Sequence, residues 1–218
     1  MLILFSRILI ITFIGLNIVG CNTVTIVNEH KSATNIQLND KESIVLLGRR
    51  HLSQHETELD YISCVGKQLS VGEGKLNVIP EQQFIDSMYP YFEASTAPMN
   101  IKKLDELIQH PNVSKKLAHH KIHYFIWIQG NTKTIEKSGA ISCMGGPAGC
   151  FGFTTWQDEA IYEAKIWNLK NSSVSGKIHT KTKGTSFLPA VVLPIPFLAR
   201  VQSDACDRMA AQLKHFLN

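Results

Sequence analysis

The sequence predicts a single α/β (α+β) domain, a mixed β-sheet with covering helices, from three observations. Two short apolar runs, Ile44-Val45-Leu46-Leu47 and Leu76-Asn77-Val78-Ile79, bracket Leu59, Ile62, Val65 and Leu69 at helical spacing, which makes a β-α-β unit. Asp158–Leu169 and Lys177–Lys183 alternate around the turn Asn171–Gly176 and read as an antiparallel hairpin. Ala205, Cys206, Met209, Ala210, Leu213, Phe216 and Leu217 put one apolar face on a closing helix. With 44% hydrophobic and 18% charged residues in 218, the chain suits one packed core and excludes wholesale disorder. A net charge of +4, scattered along the chain, gives no argument for nucleic acid.

Met1–Gly20 stands apart from the domain. Arg7 precedes an apolar run from Ile8 to Ile18, the length of a signal-peptide core and short for a bilayer of about 30 Å. Its end, Ile18-Val19-Gly20-Cys21, resembles the lipobox of bacterial lipoproteins. The resemblance implies cleavage before Cys21 and a covalent lipid on its thiol, hence a membrane partner. It also implies a location on the cell envelope facing the periplasm. Asn22 in place of Asp favours the outer membrane under the enteric sorting rule. No other cofactor and no metal is expected. The uncleaved-anchor alternative rests on the apolar Met1–Phe5. The domain boundaries read as 1–20 leader, 21–42 lipidated tether and 43–218 folded domain. Thr23–Val27 could add a short edge strand.

Lipidation of Cys21 leaves Cys64, Cys143, Cys150 and Cys206, an even number that fits two disulfides in an oxidising compartment. Three connectivities are open. Cys143 and Cys150 flank a Gly- and Pro-rich turn that can bring its ends together, and Cys64 and Cys206 are the other candidates. Cys64 lies about 150° from the centre of its helix's apolar stripe, which points to a flanking contact rather than deep burial.

Along the domain, Ser53-Gln54-His55-Glu56 reads as a capping box for the first helix, and Gly72 and Gly74 end it. Glu81–Met88 and Ile101–Ile108 read as helices, with Val113–His119 continuing after Pro111. His123–Gln129 is the third strand. Thr132–Glu136, Ala140–Cys143 and Phe151–Thr155 read as short segments separated by Gly. Pro189, Pro194 and Pro196 argue against a regular strand over Phe187–Phe197. Ser203 reads as the last helix's N-cap.

This order resembles the α/β domain of the TolB amino-terminal and CsgG-type periplasmic lipoproteins. The first strand is Ile44–Leu47, and the helix is Gln54–Leu69. The later strands are Leu76–Ile79 and Tyr124–Ile128, with a hairpin through Glu163–Leu169 and Gly176–Ile178 and the helix Ala205–Leu217. The resemblance implies a non-catalytic binding or assembly role with an envelope protein partner, and no catalytic residues carry over. The short segments after Thr132 do not supply the long hairpins of a CsgG-like pore.

Enzyme motifs are incomplete. Gly149-Cys150-Phe151-Gly152-Phe153 resembles the Asp-Cys-Ser-Gly-Phe of NlpC-type peptidoglycan peptidases, with Gly149 for Asp and Phe151 for Ser. That implies the alternative, a Cys-dependent envelope hydrolase using Cys150 and His179. His55-Glu56 begins HExxH, but Leu59 stands where the second ligand belongs. His119, His120 and His123 cluster in sequence, though His123 falls on a strand. Lys177, His179, Lys181 and Lys183 share one strand face, as a solvated face or as a contact for an anionic surface. Trp156 and Trp167 read as packing residues.

Overall fold

The computed structural model describes residues 23–32, 38–39, 41–48, 57–93, 96, 98, 101–144 and 149–218. Six strands form one mixed sheet: β1 (Thr23–Lys31), β2 (Ser43–Gly48), β3 (Val78–Ile79), β4 (Ile122–Met144), β5 (Gly149–Asn168) and β6 (Ser173–Pro194). Their order across the sheet is β1-β6-β5-β4-β2-β3. The pairs β2–β3 and β2–β4 are parallel, and β4–β5, β5–β6 and β1–β6 are antiparallel. Among the described residues five helices accompany the sheet: α1 (Leu59–Leu69), α2 (Glu81–Met88), α3 (Ile101–Ile108), α4 (Pro111–His119) and α5 (Val201–Leu217). The fold class is the one the sequence predicts.

Two cores lie on opposite faces of the sheet. One packs α1 and α5 against Ile44, Leu46, Ile126, Ile128, Tyr162 and Ile166. The other packs α2, α3 and α4 against Val45, Leu47, Phe125, Trp127 and Trp167. Ser43–Leu47 is buried throughout, as its continuous apolar run requires between two helical layers. The apolar face read on the last helix is buried in full. That helix begins at Val201 rather than after Ser203. Val201 is buried beside Gly184, and Ser186 Oγ accepts the Ala199 N–H, so packing starts the helix earlier than the cap residue suggests.

α1 begins at Leu59, with Glu58 extended at the N-cap. The expected capping box at 53–56 lies outside the described residues. Pro111 opens α4 at its first turn, where a missing N–H costs nothing.

Three readings need correction. The segment read as tether supplies β1, which pairs with β6 over nine residues. Its inward side chains Thr25, Val27 and Glu29 are half-buried, and Leu38 N–H reaches Leu217 O further on. The short segments after Thr132 are continuous strand: β4 has 23 residues, β5 has 20 and β6 has 22. So the chain does carry a long hairpin. Finally, Pro189 lies within β6. β1 starts at Thr23 opposite Gly184, so past Gly184 β6 has no β1 partner, and Phe187 and Pro189 turn their backbone groups outward, away from β5. The proline ring removes no ladder bond there.

Candidate functional site

On the face carrying α2–α4, the helices stop at β4. Among the described residues, no helix covers that face over β5 past Trp167, or over β6 and β1. That face presents Glu159, Ile161, Glu163 and Lys165 from β5, opposite Lys183, Lys181, His179 and Lys177 from β6. β1 adds Val24 beside Lys183 and Ile26 beside Lys181, and both are exposed. The four cationic positions read from the sequence therefore do share one face.

Their charge is partly answered. Glu159 Oε1 lies 2.9 Å from Lys181 Nζ and 3.1 Å from Lys183 Nζ. The Lys181 hydrogen bond, with Lys183 behind it, holds the Glu159 carboxyl below the usual carboxylate range against the opposing effect of burial. Glu163 Oε1 pairs with Lys165 at 3.0 Å and accepts from Gln129 Nε2 at 3.0 Å. The result is a laced charged surface rather than a pure cation stripe.

Past this zone β4, β5 and β6 leave both cores and run on as a three-stranded arm. No Asp, Glu, Lys, Arg or His occurs from Ser138 to Gln157 or from Gly184 to Ala199. Phe151 faces Val191 and Phe153 faces Pro189 across the β5–β6 ladder. Phe187 stacks on Phe197 of the returning chain at 4.6 Å between centroids. Phe151, Phe153, Val191, Leu193 and Ile195 are each at least half exposed, with Val191 at 76%. Monomeric soluble domains rarely leave such a contiguous apolar stretch bare. The sequence reading missed this surface, though the two uncharged stretches could have signalled it.

The arm ends in the disulfide Cys143–Cys150, whose Cα atoms are 4.0 Å apart. The second disulfide, Cys64–Cys206, links α1 to α5 at a Cα separation of 6.2 Å. Cys206 is buried and Cys64 half-buried at the helix flank, as the helical geometry anticipates.

Cys150 and His179 do not meet. Cys150 is bonded to Cys143, while His179 sits opposite Glu163, thirteen residues along β5 and so about 43 Å away. The histidine cluster also divides. His119 ends α4 and His120 is its C-cap, whereas His123 on β4 holds Glu42 Oε1 at 2.6 Å through Nδ1. Burial raises the Glu42 carboxyl, but the Asn39 amide and His123 outweigh it, leaving the group below its usual range. Trp167 is buried in the second core, and Trp156 is half-buried on the arm.

A polar strap fixes the arm's root. Glu58, just before α1, accepts the Thr132 N–H at 2.7 Å and the Tyr162 O–H at 3.0 Å. Tyr162 Oη also lies 2.9 Å from Thr132 Oγ1, and its ring stacks on Tyr61 at 3.5 Å. Burial pushes both phenols above their ordinary pKa.

No protein-family model matches the chain, and no curated protein matches it. Among the solved structures that resemble it are a PelC dodecamer from Paraburkholderia phytofirmans and a single-residue variant of it. The variant is 10% identical with a TM-score of 0.41, covering 89% of this chain and 99% of that one. The other is 11% identical with a TM-score of 0.40, covering 89% and 98%.

Proposed function

We propose that the chain is a lipid-anchored cell-envelope protein acting as a non-catalytic binding or assembly module, on the outer membrane and facing the periplasm. The observation that carries this reading is the cysteine usage. One cysteine ends a lipobox-like leader, and the other four are joined in two disulfides, the pattern of an exported protein. The sheet face that no described helix covers, with its arm, offers a surface for an envelope protein partner. Lys177, His179, Lys181 and Lys183 are the groups through which that face would meet anionic headgroups or glycans. The covalent lipid on Cys21 is the only added group the reading requires.

Labelling cells with palmitate tests the anchor. The protein is expected to take up label, and Cys21→Ser to take up none and keep its leader. An unlabelled wild type, or label retained in Cys21→Ser, overturns it. Crosslinked capture from envelopes is expected to return one defined partner. Cell-wall hydrolysis by the purified domain would overturn the non-catalytic part.

A further inference from the structure

We propose that the uncharged arm is a membrane-seating element, lying in the lipid leaflet that holds the acyl chains of Cys21. The choice of leaflet rests on the lipid-anchor reading above. The seating itself rests on the arm.

The anchor and the arm lie at one end of the molecule. β6 runs toward the arm's tip, and β1 lies antiparallel to it with Thr23 opposite Gly184, where the arm begins. Cys21 precedes Thr23 by two residues, a reach of at most about 7 Å. Acyl chains on Cys21 would therefore enter the bilayer beside the arm's root.

The arm's composition changes along its length as a bilayer does. Its outer part carries the exposed Phe151, Phe153, Val191 and Leu193. Trp156 comes next, level with the first charge, Lys137, and then Asp158 and Lys183. An aromatic residue followed by charge marks a membrane–water interface. From Gly149 to Trp156 is seven strand steps, about 23 Å. Fully upright, an arm of that length would carry its tip to the midplane of a bilayer about 40–45 Å thick with its headgroups.

Backbone polarity sets the depth. Hydrocarbon does not tolerate an open sheet edge. On β6 the outer edge is answered by the returning chain at Phe187 and Pro189. Ile195 donates to Pro189 O at 3.1 Å, and Phe187 and Phe197 exchange N–H···O bonds at 2.9 and 2.8 Å. Pro189 has no N–H to lose. On β4, no strand is paired beyond Ser138 on the side away from β5 among the described residues. That edge needs water, so the arm sits at the headgroup–acyl boundary of one leaflet rather than spanning.

The test uses the mature chain with Cys21→Ser, purified without lipid, and vesicles of phosphatidylethanolamine and phosphatidylglycerol. We expect it to float with the vesicles, and brominated lipid to quench Trp156. Trp127 and Trp167 are buried in the core, and Trp156→Phe identifies the quenched signal. Phe153→Asp and Val191→Asp are each expected to lower partitioning about tenfold, with unfolding midpoints unchanged because both side chains are exposed. Each of the following outcomes overturns the proposal. The chain stays with the lipid-free fractions, Trp156 escapes the bromolipid, or the Asp variants float as well as the parent. A lipid-independent oligomer dispersed by Phe153→Asp would also overturn it, by putting a second copy on the arm. Because the probe carries no acyl group, its failure is separate from failure of palmitate labelling.

Discussion

Removing Cys64–Cys206 should cost far more stability than removing Cys143–Cys150, and the difference follows from where each bond closes the chain. The first joins residues 142 apart, and the second joins residues 7 apart. Loop-closure entropy in the unfolded chain then gives about 5 kcal/mol for the long loop and about 2.4 kcal/mol for the short one. The long bond also ties α1 to α5 within one core, with Cys206 fully buried. The short one lies out on the arm, beyond both cores, so its global effect should fall below 2.4 kcal/mol. For a domain of this size, about 5 kcal/mol corresponds to roughly 10–20 °C in Tm. The assay is urea unfolding of the Cys21→Ser chain beside two paired variants, Cys64→Ala/Cys206→Ala and Cys143→Ala/Cys150→Ala. Equal losses, or a loss under about 1 kcal/mol for the long pair, would refute the entropic reasoning.

Tyr162→Phe removes the hydroxyl that ties Glu58 to Thr132 and should cost about 1–3 kcal/mol by urea unfolding. The Tyr162 phenol is raised in the folded state, so the stability it confers is whole below about pH 10 and falls as pH rises further; the variant should show a shallower alkaline decline. Glu159 is lowered, so its contribution is whole above the usual carboxylate range and is lost as pH falls through its depressed pKa. Glu159→Gln should flatten that acid limb in denaturation midpoints taken across pH. A Cβ at Gly176 would stand 2.4 Å from Phe216 Cζ and 2.6 Å from His30 O, so Gly176→Ala should lose about 1–3 kcal/mol in the same assay.

The buried half of the molecule was legible because burial imposes a pattern. Ser43–Gly48 sits between two helical layers and reads as an unbroken apolar run. α5 covers one face and shows its stripe. The arm has no such constraint, since both its faces lack charge and no described helix layers either of them, so the period of two disappears. Its glycines also mislead. Gly139 and Gly152 sit inside strands at φ 89° and 129°, where a Cβ would stand 2.4 and 2.3 Å from a carbonyl oxygen across the ladder. Sequence reading takes such residues as breaks, whereas here they are close approaches that only glycine allows. Pro189 misleads in the same way, because edge position cannot be seen in one strand's own residues. Of the candidate surface, the four cationic positions on β6 were legible from alternation. Glu159, which binds two of them, was not, because it depends on register between strands.

The pairing of β1 with β6 has a consequence in time. Thr23 meets Gly184 and also bonds to Asp204, a residue 181 positions later. The first strand of the sheet therefore has no partner until nearly the whole chain has emerged. Contacts so distant in sequence form late and slowly. A chain held by Cys21 would wait at the bilayer surface with its first strand unpaired. The strand of the sheet made first would be the last to pair.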